Sequence, residues 1–157
     1  MEYKSGMIVH IKEEYYNRYN KYNLMINHNF NHISRPVYLL IVKDKTLWAI
    51  PLSSKIRKYE RIIIKKIKLY KKCSSIMMLE INNKKSALLL QNSFPIRVYD
   101  IKCPSYIRSK PIVLPNSIQK KIRNNFKTML SLKKEGLNLF FTDIDSILKE
   151  LDHDKSK

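Results

Sequence analysis

The chain has 157 residues, of which 44% are hydrophobic, so it has enough apolar side chains for the core of one globular domain. It carries 31 lysines and arginines against 13 acidic residues, a formal charge of +18 at pH 7. Because so large a charge opposes compaction unless anions bind, it favours nucleic acid as the partner and makes a membrane surface the second choice.

The first predicted elements are strands with one short helix between them. Gly6–Ile11 is expected to form a strand, and Lys12–Met25 a short helix followed by a loop. The aliphatic run Val37–Val42 returns as Thr46–Ile50 through a short loop, which is typical of a hairpin. Pro51 is expected to end the second of these strands, because proline cannot donate a hydrogen bond to a central ladder.

Further strands are predicted at Ser75–Ile81, Ser86–Gln91 and Ile96–Ile101, with Asn82–Lys85 as the turn between the first two. Consecutive strands joined by short turns favour an antiparallel meander or small barrel over βαβ units. The pattern of basic and aliphatic residues in Arg61–Tyr70 fits either a helix with a cationic face or a strand.

The clearest helical pattern follows a proline-rich connector, Pro104–Pro115. Asn116 or Ser117 is expected to cap this helix, and Gly136 lies just beyond its predicted end. Apolar residues recur along it at helical spacing, at Ile118, Ile122, Phe126, Met129 and Leu130.

A final helix is predicted near the end of the sequence. Thr142–Asp145 is similar to a capping box with Asp in place of the usual Glu. An apolar stripe follows, made of Ile144, Ile147, Leu148 and Leu151. We expect residues 152–157 to be a frayed tail. No repeat or linker interrupts the sequence, so residues 1–157 are predicted to form a single domain.

The charge is concentrated in the first part of the chain. Residues 1–134 carry 28 basic and 7 acidic groups, a net charge of +21, whereas residues 135–157 carry a net charge of −3. The longest uncharged apolar run, Pro36–Val42, is far shorter than the ~20 residues that cross a bilayer. No signal peptide is recognisable and the two cysteines, Cys73 and Cys103, lack metal-ligand spacing, so a cytoplasmic protein with reduced thiols is expected.

The stretch IPLSSKIRKYER, Ile50 to Arg61, places two hydroxyls beside a dense run of cations. Acidic residues are scarce in the cationic region, which argues against a two-metal nuclease, and no cofactor motif is present. RNA cleavage without metal needs a group that accepts the 2′-OH proton, cations that stabilise the phosphorane and a donor for the leaving 5′-oxygen. The side chains suited to these tasks are Ser53, Ser54, Lys55, Arg57 and Arg35. The alternative is an ordinary solvated loop at the end of a strand.

Several other side chains are candidates for RNA contact. Phosphates are expected on two cationic segments. The first consists of Arg57, Lys58, Arg61, Lys65, Lys66 and Lys68, and the second of Lys120, Lys121, Arg123 and Lys127. Solvated helix faces are the alternative. Unpaired bases are expected to stack on aromatic side chains that could instead cover the core, namely Tyr15, Tyr16, Tyr19, Tyr22 and Phe30. His28 and His32 are spaced to share a helix face and hold a metal, but the turn-rich sequence around them favours exposed or RNA-contacting histidines over a metal site.

Several segments follow one another along the chain in a characteristic order: HIKEEYY, SRPVYLLIV, LWAIPLSSKIRK, SALLLQNSFPI, the cationic helix and LFFTDIDSI. In this order they resemble the ToxN/AbiQ endoribonucleases, the toxins of type III toxin–antitoxin systems, and most closely the short CptN branch. The resemblance covers about Gly6 to Leu151, and its most specific parts are RPVY, the PLSSK turn and LLLQNSFPI.

The resemblance implies an α+β fold, a compact twisted antiparallel sheet or small barrel related to Kid/MazF and surrounded by helices. It also implies metal-independent cleavage of single-stranded, often A-rich, cellular or phage mRNA to 2′,3′-cyclic phosphate and 5′-OH ends, without a cofactor. The implied partner is an antitoxin RNA of pseudoknot repeats, which the toxin processes and which inhibits it in a closed protein–RNA assembly. Neither DNA nor a membrane is an implied partner.

The resemblance also assigns site residues. The family's serine falls on Ser54, preceded by Ser53, and its basic residue before the first hairpin falls on Arg35. The family's N-terminal tyrosine falls on Tyr15 and the cation after the serine on Lys55. Longer members place lysine one residue later, where this chain has isoleucine, so that role is open among Lys55, Arg57 and Lys58.

A protein that binds RNA in the same basic groove without cutting it is the leading alternative, and cleavage separates the two. A membrane-surface protein is the other alternative. It is disfavoured because the sequence suggests no strongly amphipathic segment with bulky aromatic residues opposite lysines.

Overall fold

The structure, a computed structural model, describes residues 2–25 and 34–155. Its helices are α1 (Glu13–Tyr19), α2 (Ile56–Tyr70), α3 (Asn116–Lys134) and α4 (Ile144–Lys155). Its strands are β1 (Ile8–Ile11), β2 (Pro36–Ile41), β3 (Leu47–Ser53), β4 (Met77–Ile81), β5 (Lys84–Leu88), β6 (Phe94–Ile96), β7 (Ile101–Pro104), β8 (Tyr106–Ile107) and β9 (Lys110–Pro111). None of the helices in these ranges is long and apolar enough to cross a bilayer.

An antiparallel sheet forms the centre of the molecule, with strand order β4-β5-β3-β2-β1-β7 and β6 paired to β3. The edge strands β4 and β7 do not pair with each other in the described part of the chain. The predicted α+β class with a twisted antiparallel sheet among helices is therefore confirmed, and over the described residues the sheet is open rather than closed into a barrel.

Side chains alternate between the two faces of this sheet, and both faces are buried. Tyr38 and Leu40 pack into one cluster together with Phe126 of α3. Their neighbours Val37 and Leu39 pack into a second cluster with the tyrosines of α1 and part of α4. In β5, Leu88 belongs to the α3 side, while Ala87 packs against α2. Thus α3 covers one face, and α1 and α2 cover the other.

The strand that leads into the serine turn is longer than the sequence predicted. Pro51 does not end β3, which continues to Ser53. The carbonyl of Pro51 accepts a bond from Leu89 N at 2.9 Å. Because the N and O atoms of one strand residue point to the same side, the nitrogen of Pro51 also faces that side. On that side β3 changes partner from β6, paired up to Ala49, to β5, paired from Leu52, so the missing N–H of Pro51 interrupts neither ladder.

The second half of the sheet is more broken than predicted. The predicted strand Ile96–Ile101 is wrong, because a 3₁₀ turn at Val98–Asp100 separates β6 from β7. The turn is held by Asp100, whose carboxylate accepts bonds from the backbone and side chain of Arg97. The β4–β5 turn is shorter than predicted and consists of Asn82 and Asn83, both with positive φ as a tight hairpin requires.

The predicted helices are present with different caps. The ambiguous segment Arg61–Tyr70 is helical, as part of α2. The predicted cap of α3 by Asn116 or Ser117 is wrong, since Pro115 precedes the first turn and no side chain caps it. In α4 the capping side chain is Asp143, which accepts bonds from Ser146, rather than Thr142. The same helix runs on to Lys155, beyond the point where fraying was expected.

Candidate active site

The two serines of the sequence motif lie where β3 ends and α2 begins, and they differ in environment. Ser53 is buried, and its hydroxyl oxygen accepts a hydrogen bond from the backbone N–H of Lys55 at 3.2 Å. Ser54 is exposed, and its carbonyl accepts a bond from Ile56 N at 2.8 Å. Ser53 therefore shapes the turn, while Ser54 presents its hydroxyl to solvent.

The first turn of α2 is a ready place for an anion. Lys55 occupies the N-cap position, and no side chain accepts a hydrogen bond from the first N–H groups of the helix. The first turn contains no acidic residue, but it does contain Arg57 and Lys58. Ile56 N donates to the Ser54 carbonyl, so the N–H groups of Arg57 and Lys58 remain for a ligand. Together with the positive end of the helix dipole they favour a phosphate at this position, beside the hydroxyl of Ser54.

Arg35 lies beside this turn. Its Nη1 donates to the carbonyl oxygen of Leu52 at 2.9 Å. Leu52 immediately precedes the two serines. The guanidinium is half-buried, and this burial lowers its pKa, although the nearby phenols of Tyr16 and Tyr59 act in the opposite direction. An arginine stays protonated despite such a shift, so the structure brings a fixed positive charge to the serine turn.

Two tyrosines of α1 take different positions. Tyr15 is only 2% exposed, and its hydroxyl donates to the carbonyl of Pro95 at 2.6 Å. This burial raises the pKa of Tyr15 well above its usual value. The structure thus places Tyr15, the residue that was assigned to catalysis, in the core with its hydroxyl bonded to the backbone. Tyr16 lies close to Arg35, and burial likewise raises its pKa.

His10, which the sequence did not single out, is held between two serine hydroxyls. Its Nδ1 lies 2.9 Å from Ser34 Oγ and 3.1 Å from the Ser34 carbonyl, and its Nε2 lies 2.7 Å from Ser105 Oγ. The carbonyl can only accept, so a proton on Nδ1 fits this geometry, and Nε2 then accepts from Ser105. Burial and the charge of Lys102 lower the pKa of the imidazole.

His10 lies at the same end of the strands as the serine turn. His10 pairs with Pro36, which follows Arg35 in the chain. Because Val37 pairs with Pro51, the same register places Pro36 opposite Leu52. Two strand spacings of ~4.8 Å therefore separate the backbone of His10 from the end of β3. No sequence motif could have revealed this residue, because its serine partners lie 24 and 95 positions away.

The cations predicted to bind RNA fall into two groups. Most side chains of the α2 group are exposed, and Lys66 is half-buried. The α3 group, Lys120, Lys121, Arg123 and Lys127, belongs to the helix on the other face of the sheet. The two groups therefore do not form one surface over a single face. His28, His32 and Phe30 lie outside the described residues.

The different environments of Ser53 and Ser54 predict different effects of removing each hydroxyl. Ser53→Ala should lower the free energy of unfolding by about 1 kcal/mol, because Lys55 N loses its acceptor. Ser54→Ala should change it by less than about 0.5 kcal/mol, since this side chain is exposed. Urea denaturation of the two variants, with unchanged slopes, measures both values. Equal losses would mean that the hydroxyl of Ser53 does not stabilise the turn.

Of three comparisons with known proteins, the one with solved structures found a match. No protein-family model matches the sequence, and no curated protein matches it. Among solved structures, the chain superposes on AbiQ, a lactococcal anti-phage endoribonuclease of the type-III toxin–antitoxin system, with a TM-score of 0.72. The match covers 96% of this chain and 98% of AbiQ at 17% sequence identity. The chain thus has the fold of AbiQ over almost the entire length of both proteins.

Proposed function

We propose that this protein is a metal-independent endoribonuclease and the toxin of a type III toxin–antitoxin system. The observation that carries the proposal is the turn after β3, where Ser54, Arg35 and the uncapped start of α2 converge. The motifs that resemble the ToxN/AbiQ family supply this turn, and the full-length likeness to AbiQ supports the same activity. The finer placement in the CptN branch rests on the sequence motifs.

The geometry suits cleavage by the neighbouring 2′-OH. In this reaction the 2′-oxygen forms a bond to phosphorus while the bond to the 5′-oxygen breaks, leaving a 2′,3′-cyclic phosphate and a 5′-OH. The scissile phosphate would lie on the first turn of α2, with Arg35 and Lys55 stabilising the charge of the phosphorane. The exposed hydroxyl of Ser54 would orient the phosphate or the 2′-OH by a hydrogen bond.

Two proton transfers complete this reaction: a base takes the 2′-OH proton, and an acid protonates the departing 5′-oxygen. Three side chains at this end of the strands could accept or donate these protons, namely Lys55, Lys58 and His10. Burial lowers the pKa of the His10 imidazole and so favours its neutral form, which would accept a proton at Nε2 once the Ser105 hydroxyl is displaced.

The test is incubation of RNA-free protein with an A-rich single-stranded RNA in EDTA, followed by mapping of the ends. We expect cyclic phosphate ends from the parent protein and at least about tenfold slower cleavage by Ser54→Ala. The same oligonucleotide with 2′-deoxy sugars should bind without being cut, because it lacks the nucleophile. Ends with a 5′-phosphate, or cleavage of the deoxy strand, would contradict the 2′-OH mechanism.

A non-catalytic RNA-binding protein is the second candidate, and the exposed cations of α2 favour it equally. Such a protein would bind the RNA in this experiment and leave it intact. If the nuclease proposal is correct, we propose further that an antitoxin RNA of pseudoknot repeats is processed by this site. Each processed unit would then occupy the site in a closed protein–RNA assembly, and cellular or phage mRNA would be the substrate of the free toxin.

A further inference from the structure

A pocket lies at the far end of α2 from the serine turn. Its volume is about 360 Å³, and the walls come from the end of α2, the segment that follows it and the segment after α3. At ~1.5 Å of rise per residue along α2, the lining residues Lys66 and Tyr70 lie about 16 and 22 Å along the helix axis from Lys55. The pocket is therefore separate from the candidate active site but connected to it by the cationic surface of one helix.

The apolar part of the pocket is built by the end of α3. Leu137 N donates to Leu132 O, and Gly136 N donates to Lys133 O, which together form a Schellman motif. Gly136 has a φ of +100°, the left-handed conformation that this motif requires. Leu132 and Leu137, joined by this backbone bond, line the pocket together with Leu139.

The other side of the pocket carries cations and an aromatic ring. Lys66 Nζ donates to Ser75 Oγ at 2.7 Å, and Ser75 is almost completely buried, so this lysine is fixed in the wall. Lys72 also lines the pocket and is exposed. Tyr70, the last residue of α2, contributes to the wall although its side chain is 70% exposed. An exposed tyrosine beside an apolar floor and two lysines provides a surface on which a planar ring can stack.

We propose that this pocket receives one unpaired base of the bound RNA, stacked on Tyr70, with a flanking phosphate on Lys72. The proposal rests on the function proposed above and extends its binding surface along α2. The interior suits a neutral ring rather than a phosphate, because α2 and α3 both end here and the negative ends of their dipoles disfavour an anion. A second copy of the protein is disfavoured as occupant because each copy carries a formal charge of +18.

The experiment compares two oligomers that cannot be cleaved. One is a short single-stranded 2′-fluoro oligonucleotide, and the other is an abasic oligomer with the same number of phosphates. Tyr70→Ala should weaken binding of the base-bearing oligomer by about 5- to 100-fold, the usual effect of removing one stacked base. It should leave binding of the abasic oligomer unchanged. Tyr99→Ala is the matched control, since Tyr99 is 63% exposed with Lys12 Nζ over its ring, and the substitution should affect neither oligomer.

Three results would overturn the pocket proposal. If the Tyr70→Ala variant binds the base-bearing oligomer as tightly as the Tyr99→Ala control does, no base stacks on Tyr70. An equal loss of affinity for both oligomers would assign Tyr70 to the phosphate backbone. If the parent protein sediments as a dimer and the Tyr70→Ala variant as a monomer, the pocket binds another copy of the protein. Failure of the nuclease proposal can be distinguished from failure of the pocket proposal. In the first case the parent protein would not cleave RNA, but base binding would still depend on Tyr70.

Discussion

Arg35→Gln should lower the rate of RNA cleavage by about 10²- to 10³-fold, the usual effect of removing one donor that stabilises a developing negative charge. The guanidinium lies beside the serine turn and is fixed there by its bond to Leu52 O. Glutamine is neutral, so it removes the charge that would face the phosphorane. Arg35→Lys keeps the charge but not the planar fork of donors, so its rate should lie between those of the parent and the glutamine variant.

The measurement is the single-turnover rate at saturating protein, because weaker RNA binding then does not limit the rate. Arg18→Gln is the matched control: it makes the same change of charge at an exposed position of α1 and should leave the rate within about twofold. Thermal unfolding of both variants separates a loss of catalysis from a loss of fold. A glutamine variant that is folded and cleaves at the parental rate would remove Arg35 from the mechanism.

Phe126→Ala should lower the free energy of unfolding by about 3–5 kcal/mol. Phe126 is 0% exposed in the centre of α3, with its ring 4.9 Å from that of Trp48 and 5.9 Å from that of Phe140. Its removal leaves a cavity between α3 and the sheet that rigid neighbours fill only in part. A domain of this size has a total stability of about 5–15 kcal/mol, so the variant should be partly unfolded at elevated temperature.

Phe141→Ala is the control for this prediction. Phe141 lies next to a core residue but is itself 59% exposed, so its truncation should cost less than about 0.5 kcal/mol. Urea denaturation followed by the fluorescence of the single tryptophan, Trp48, gives both values, with allowance for its contact with Phe126. Similar losses in the two variants would mean that α3 is not packed on the sheet as described.

The site could be predicted from sequence where its residues are neighbours in the chain. Ser53, Ser54 and Lys55 were identified because a strand, two hydroxyls and a cationic helix follow one another directly. The different environments of the two serines could not be predicted, because they depend on how the strand end meets α2. His10 was not singled out for a related reason: its contacts are made across strands, to Ser34 and Ser105.

The fold could be predicted where one local rule acts alone. The stripe of α3 was predicted correctly, and Ile122, Phe126 and Met129 from it are fully buried. Pro51 was assigned wrongly because the rule on proline in strands assumes one partner along the whole strand, whereas β3 changes partner there. The strand Ile96–Ile101 was assigned wrongly because the Asp100 carboxylate accepts a bond from Arg97 N and closes a turn that the aliphatic pattern hides.

The position of β1 between β2 and β7 has a consequence for the order of folding. The hairpins β2–β3 and β4–β5 join segments that are close in the chain, so the entropy lost in closing their loops is small. β1 ends at Ile11 and β7 begins at Ile101, so their pairing closes a much longer loop and raises the contact order of the protein. A chain that has formed only its hairpins already holds Arg35 beside the serine turn, whereas the bridge from His10 to Ser105 should be among the last contacts to form.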